Sequence, residues 1–243
     1  MRLQFLIMTT IALNLHHVRD QMLTACIAAG RHPDSVQLLA VSKTFGADDV
    51  REATNTGQRA FGENYIAEGV EKIEALADLR AQLVWHCIGP VQSNKTRLVA
   101  EHFDWVQSVD RLKIAQRLSE QRPAGLPPLQ VCLQVNIDGG ANKSGVTPDE
   151  LSALAKEVLK LPHLVLRGLM MIPEPAVHFE AACAINARAK AVFDALNKEL
   201  IAGGQLLTPM DTLSLGMTGD LEAAIHSGST LLRVGSAIFG RRG

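Results

Sequence analysis

The sequence predicts an α/β fold: a single (β/α)8 barrel of the TIM type with one helix ahead of its first strand. Three observations carry this prediction. Apolar runs of strand length alternate with helical segments eight times, and strands separated by helices pair in parallel through right-handed crossovers. The chain has 243 residues, an ordinary length for one such barrel. An open sheet that binds a dinucleotide would carry G-x-G-x-x-G after its first strand, and Lys43-Thr44-Phe45-Gly46 stands there instead.

The elements follow in order. Leu13, Val18, Met22, Leu23 and Ile27 recur at helical spacing, so 11–29 is read as a leading helix, stopped by Gly30 and Pro33. Residues 37–42 form the first strand, and 47–56 a helix ending at Gly57. The second and third units are 59–61 with 65–79, and 83–88 with 93–102, the third strand being closed by Gly89-Pro90. The fourth is 105–109 with 111–121. Pro123, Gly125, Pro127 and Pro128 punctuate the domain rather than divide it. The second half repeats the pattern with 129–137 and 148–161, 164–172 and 179–201, 212–215 and 221–227, and 231–234 followed by an apolar segment at 237–239.

Composition bounds the function. The chain is 47% hydrophobic and 20% charged with a net charge of -1, so nothing electrostatic points to nucleic acid or an anionic membrane. Cys26, Cys87, Cys132 and Cys183 are far apart and form no CxxC pair. They read as reduced thiols in a reducing, cytoplasmic setting. Arg2 and the apolar residues after it are interrupted by Gln4, Thr9 and Thr10, with no A-x-A-like site. Residues 1–9 are therefore expected to be an extension ahead of a second possible start at Met8, and 10–243 the barrel domain, with no signal peptide and no membrane span.

Barrel chemistry sits where the strands end and the βα loops meet. The first strand, Leu38 to Ser42, ends in Lys43. Desolvation at a strand end lowers the pKa of a lysine, and the neutral amine attacks aldehydes. Strands seven and eight end in Ser214-Leu215-Gly216-Met217-Thr218 and Arg233-Val234-Gly235-Ser236. These are the loops that commonly build phosphate sites, where small residues let backbone N–H groups close round an anion and hydroxyls add donors. An imine-forming amine opposite a phosphate cradle suits a phosphorylated aldehyde such as pyridoxal 5'-phosphate (PLP). Arg233, two residues before the last loop, can face the ring nitrogen and keep it unprotonated, which weakens the ring as an electron sink. His86 alternates with Trp85 and Cys87 and is as much a barrel-interior residue as a ligand, and Met170-Met171 reads as core. His16 and His17 are adjacent on a helix and cannot share a metal, and no zinc spacing, G-x-S-x-G elbow or P-loop occurs.

Several segments resemble the YggS/PROSC family, the pyridoxal phosphate homeostasis proteins. They are Leu39-Ala40-Val41-Ser42-Lys43-Thr44, Gly57 to Tyr65 (with Phe61-Gly62-Glu63-Asn64-Tyr65), Trp85-His86-Cys87-Ile88-Gly89, Gln92-Ser93-Asn94-Lys95, Lys143-Ser144-Gly145, Gly168-Leu169-Met170, Leu213 to Thr218 and Arg233 to Gly240. The match runs in order from Met8 to Gly240. The resemblance implies a barrel like the N-terminal domain of alanine racemase without the second domain. It implies PLP held on Lys43 as an internal aldimine and phosphate held by Ser214 and the loops at Gly216, Thr218, Gly235 and Ser236. It also implies Arg233 at the pyridine nitrogen, and Asn64 and Lys143 near the ring or its lid. A non-catalytic carrier or buffer is expected, with apo-PLP enzymes as recipients and a monomeric state.

The alternative is a PLP enzyme, an amino-acid racemase or related fold-type III enzyme. Two-base racemization needs a second acid/base opposite the lysine, and the chain has a single tyrosine, Tyr65. Three departures from the family pattern stand out. Phe45-Gly46 replaces the usual Lys-Pro, which removes a secondary lysine near the aldimine. Gly219 stands beside Asp220 where relatives have two acidic residues, and Arg241-Arg242-Gly243 ends the chain without a terminal aromatic.

Overall fold

The computed structural model describes residues 9–140 and 143–240. The expected extension at 1–9 (apart from Thr9), Asn142 and the Arg241-Arg242-Gly243 terminus lie outside the described residues. Eight parallel strands close into a barrel in sequence order. They are β1 (Gln37–Val41), β2 (Ala60–Glu63), β3 (Val84–Cys87), β4 (Trp105–Val109), β5 (Leu129–Val135), β6 (Leu164–Met171), β7 (Thr212–Ser214) and β8 (Leu231–Val234). Closure is made by β8 against β1, with Gln37 beside Leu231 and Ala40 beside Val234.

The helices are α1 (Thr10–Ala28), α2 (Ala47–Asn55), α3 (Ile66–Ala75), α4 (Thr96–His102), α5 (Leu112–Gln121), α6 (Pro148–Val158), α7 (Phe179–Ala202), α8 (Leu221–His226) and α9 (Ser236–Phe239). Local chemistry explains their ends. Gly30 and Gly57 take φ of +65° and +89° after α1 and α2, a conformation that costs glycine little. At the start of α6 the Thr147 N–H donates to Glu150 Oε2 at 3.1 Å, with Pro148 in the first turn, so two helix-start signals coincide.

The leading helix forms as expected but presents a different face. Ile11, Leu15, Val18, Met22, Ala25 and Cys26 are buried, whereas Leu13, Leu23 and Ile27 are exposed. The buried set spaces at 3–4 residues and follows the 3.6-residue turn, so Leu15 rather than Leu13 enters the core. This face packs on α8 and α9, and Asn14 Nδ2 donates to Ile238 O at 2.8 Å. α1 thus anchors the short helix that follows β8, at the end of the barrel where the βα loops converge. Between the strands and the helices lies a continuous apolar core in which Phe61 and Trp85 meet at 5.7 Å between ring centroids. Met170 and Met171 are buried in the barrel, as read from the sequence.

Candidate functional site

A cavity of about 580 Å³ opens at the C-terminal end of the barrel. Lys43, Asn64, Thr218, Arg233, Gly235 and Ser236 all line it, so six of the expected positions come together. Val41, Phe45, Ile88 and Ile172 supply apolar wall. Phe45 stacks on Phe239 with centroids 5.2 Å apart, so an aromatic pair stands at this side of the cavity.

Backbone geometry makes the mouth possible. A Cβ on Gly89 would lie 2.0 Å from Asn64 O, so only glycine lets the β2 and β3 loops approach closely enough to bring Asn64 to the rim. Gly216 has φ +96°, and a Cβ there would lie 2.4 Å from Ala224 Cβ. It is absent from the cavity wall and acts by turning the chain from β7 into the Met217–Gly219 segment. Asp220 Oδ1 accepts from the Met217 N–H at 2.7 Å and secures that loop.

Ser214 lies apart from the cavity. Its hydroxyl is fully buried and does not reach the cavity wall. Oγ accepts from Arg233 Nη1 at 2.6 Å and donates to Gln107 Oε1 at 2.6 Å. The hydroxyl thus both accepts and donates within the barrel, and it anchors one arm of Arg233. The registry explains this: Ser214 pairs with Leu231, and Leu231 and Arg233 share a strand face. The second Arg233 arm, Nη2, donates to Met171 O at 2.8 Å. Burial pushes the Arg233 guanidinium down to about 10, with Asp220 opposing the shift, and it remains a cation at neutral pH.

The chain of polar groups continues inward. Gln107 Nε2 lies 2.9 Å from His86 Nδ1, and His86 stacks on Trp105 at 5.0 Å. Burial holds His86 down to about 3, so it is neutral. His86 is a barrel-interior residue, and sequence reading had left that open. Gln107 carried no motif; only its inward place on a strand otherwise apolar at Val106 and Val109 could have revealed it.

Lys143 lines an adjoining compartment of about 220 Å³ that shares Asn64, Ile88 and Ile172 with the main cavity. Its Nζ donates to Asp138 Oδ2 at 2.8 Å and to Ile172 O at 3.2 Å, and pairs with Glu174 at 2.9 Å. These bonds tie the loop after β5 to the loop after β6. Desolvation lowers the Lys143 pKa, but the hydrogen bonds and charges of Asp138 and Glu174 together outweigh it and hold the ammonium above its usual value. A larger groove of about 640 Å³ runs beside α7 and α8, but neither lysine nor arginine lines it, so the chemistry favours the cavity with Lys43. Among the described residues no group of three or more His, Cys, Asp or Glu side chains could hold a metal, and no helix is long and apolar enough to cross a membrane.

Comparison with known proteins agrees with this geometry. The family described as "Alanine racemase, N-terminal domain" matches residues 14–243. The pyridoxal phosphate homeostasis protein of Pseudomonas aeruginosa is 57% identical over 235 residues, covering 97% of each chain. The chain belongs to the pyridoxal phosphate homeostasis protein family. A second family relative, from Escherichia coli, is 52% identical over 97% of this chain and 98% of that one. Among solved structures, PipY of Synechococcus elongatus with PLP bound superposes at a TM-score of 0.80 and 36% identity. It covers 95% of this chain and 100% of that one. Alanine racemase of Corynebacterium glutamicum shares the fold at a TM-score of 0.65 and 18% identity, with 62% of its length covered.

Proposed function

We propose that this chain is a non-catalytic PLP-binding protein of cofactor homeostasis, a buffer or delivery vessel that holds PLP as an internal aldimine on Lys43. The observation that carries the reading is the convergence of Lys43, buried Arg233 and the Thr218 and Gly235-Ser236 loops on one cavity, in a family whose member PipY has a solved structure with PLP bound. About 580 Å³ lies in the range of small-molecule sites. Lys43 would hold PLP through its amine, and bound PLP would supply the aldehyde with which an amine condenses with loss of water. Thr218 and the backbone at Gly235 and Ser236 would hold the phosphate, with Gly216 turning the chain into the Met217–Gly219 segment. Asn64 would lie near the ring, and Lys143 bridges the loops over the neighbouring compartment.

Arg233 favours holding over turnover. Were Arg233 to face the ring nitrogen, its guanidinium would donate and could not accept a proton, so the ring would be a poor sink for carbanion charge. Tyr65, the one tyrosine in the chain, is exposed and absent from the cavity wall, so the second base of a racemase has no evident source there. Apo-PLP enzymes are the recipients in this reading, and the barrel works as a cytoplasmic monomer.

Lys43→Ala tests the assignment. The variant is expected to keep its circular dichroism and to yield no PLP adduct after borohydride reduction. A single-site adduct in the variant would place the imine elsewhere. Racemase assays on the loaded wild type separate carrier from enzyme, and turnover of any amino acid would overturn the non-catalytic reading.

A further inference from the structure

Behind the Lys43 turn lies a buried charge cluster that holds no part of the cavity wall. Glu63 ends β2, and Glu68 and Lys72 are one turn apart on α3. Glu63 is fully buried and Lys72 is 5% exposed. Lys72 Nζ donates to Glu63 Oε1 at 2.8 Å, to Glu68 Oε1 at 2.6 Å and to Ser42 O at 2.6 Å. Ser42 Oγ donates to Glu63 Oε1 at 2.6 Å, and the Thr44 N–H donates to Glu68 Oε1 at 2.5 Å. These outward bonds from the cluster reach Ser42 and Thr44, the two neighbours of Lys43.

Stability alone is a poor reason for such a cluster, since replacing a buried ion pair by apolar residues is often neutral or stabilising. Here two carboxylates share one ammonium, and Glu63 Oε2 is buried with no hydrogen-bond partner. The turn that it grips is itself unusual. The Phe45 N–H donates to Ser42 O at 3.1 Å, closing a tight turn with Lys43 and Thr44 at its corners. Thr44 has φ +69° and is the one non-glycine among the described residues with positive φ. A β-branched residue enters that region only where its surroundings hold it.

We propose that Glu63, Lys72 and Glu68 are positioning residues for Lys43: they clamp the Ser42–Phe45 turn from behind, hold Thr44 in its left-handed conformation and aim the Lys43 amine at the aldehyde carbon of a phosphorylated aldehyde in the cavity. The inference rests on the reading that Lys43 is the imine-forming amine. The clamp touches no atom of the ligand. It acts on the placement of the attacking nitrogen, and small displacements of a reacting group cost large factors in rate.

The test compares wild type with Lys72→Met, Lys72→Arg and Glu68→Ala. Imine formation from apo-protein and PLP is followed by absorbance and by borohydride trapping. Binding of pyridoxine 5'-phosphate, which has an alcohol in place of the aldehyde, is measured in parallel by equilibrium dialysis. Lys72→Met and Glu68→Ala are expected to slow imine formation about tenfold or more, with pyridoxine 5'-phosphate affinity kept within about twofold and partial recovery in Lys72→Arg. Unchanged imine rates in the variants, or equal losses in both assays, would overturn the clamp. Should Lys72→Met fail to fold, Glu68→Ala decides, because Glu68 is partly exposed and its removal leaves the Glu63–Lys72 pair in place. A wild-type protein that forms no imine on Lys43 would refute the underlying reading instead.

Discussion

Replacing Ser214 by alanine removes one hydroxyl from the centre of the barrel, and the structure sets the size of the effect. That hydroxyl accepts from Arg233 Nη1 and donates to Gln107 Oε1, each at 2.6 Å, with no exposure to solvent. Its loss leaves one N–H of a buried cation and one amide oxygen without a partner. A hydrogen bond to a charged group contributes about 1.5–3 kcal/mol and a neutral one about 1 kcal/mol. With no water to take over, the expected destabilisation is roughly 3 kcal/mol, which lowers Tm by roughly 6–12 °C for a chain of this size. Urea unfolding and calorimetry measure it. PLP retention should weaken in parallel, because Arg233 loses one of its two anchors, while borohydride still traps an adduct on Lys43. A folded variant within about 1 kcal/mol of wild type would show that the hydroxyl does not hold Arg233. Firm retention of PLP in the same variant would refute the orienting role.

Three further outcomes follow from the geometry. His86 is held down to about 3 from 6.5 by burial, so its stabilising contribution is present above pH 6.5 and is lost as pH falls toward 3. Wild type should lose up to about 1.4 kcal/mol per pH unit more than His86→Gln across this window, and parallel pH profiles would contradict it. Gly216→Ala places a methyl 2.4 Å from Ala224 Cβ at φ +96° and should cost roughly 2–4 kcal/mol, read as a lowered urea midpoint; a neutral substitution would show that the β7–α8 turn is not constrained. Lys143→Ala breaks partly exposed pairs with Asp138 and Glu174, so stability should change by less than about 1 kcal/mol while PLP passes to an apo-enzyme several-fold faster. An unaltered transfer rate would remove Lys143 from the gating of the cavity.

The path from sequence to site was uneven for physical reasons. Strand and helix order was legible because the barrel repeats one period switch eight times and marks its ends with residues such as Gly57 and Gly89. Lys43 and Arg233 stood out because charge at the end of an apolar strand is conspicuous, and both line the cavity. The bonds of Ser214 to Arg233 and Gln107 were not legible, because strand position alone does not say which face points into the barrel; that depends on the pairing of β7 with β8. The face of α1 was partly misread because Leu13 and Leu15 both satisfy a loose helical pattern, and only packing on α8 and α9 separates them. The pairing of Glu63 with Lys72 was not legible, since nine residues on paper become 2.8 Å only once α3 folds back over β2.

The central claim is that Lys43 carries PLP at the mouth of the barrel. Its most direct test is an absorbance spectrum of the purified protein loaded with PLP, followed by borohydride reduction and peptide mapping. The account predicts an imine band that collapses on reduction, with the adduct on the peptide containing Lys43 and on no other. A colourless protein that fails to take up added PLP, or an adduct mapped to a different lysine, would contradict it.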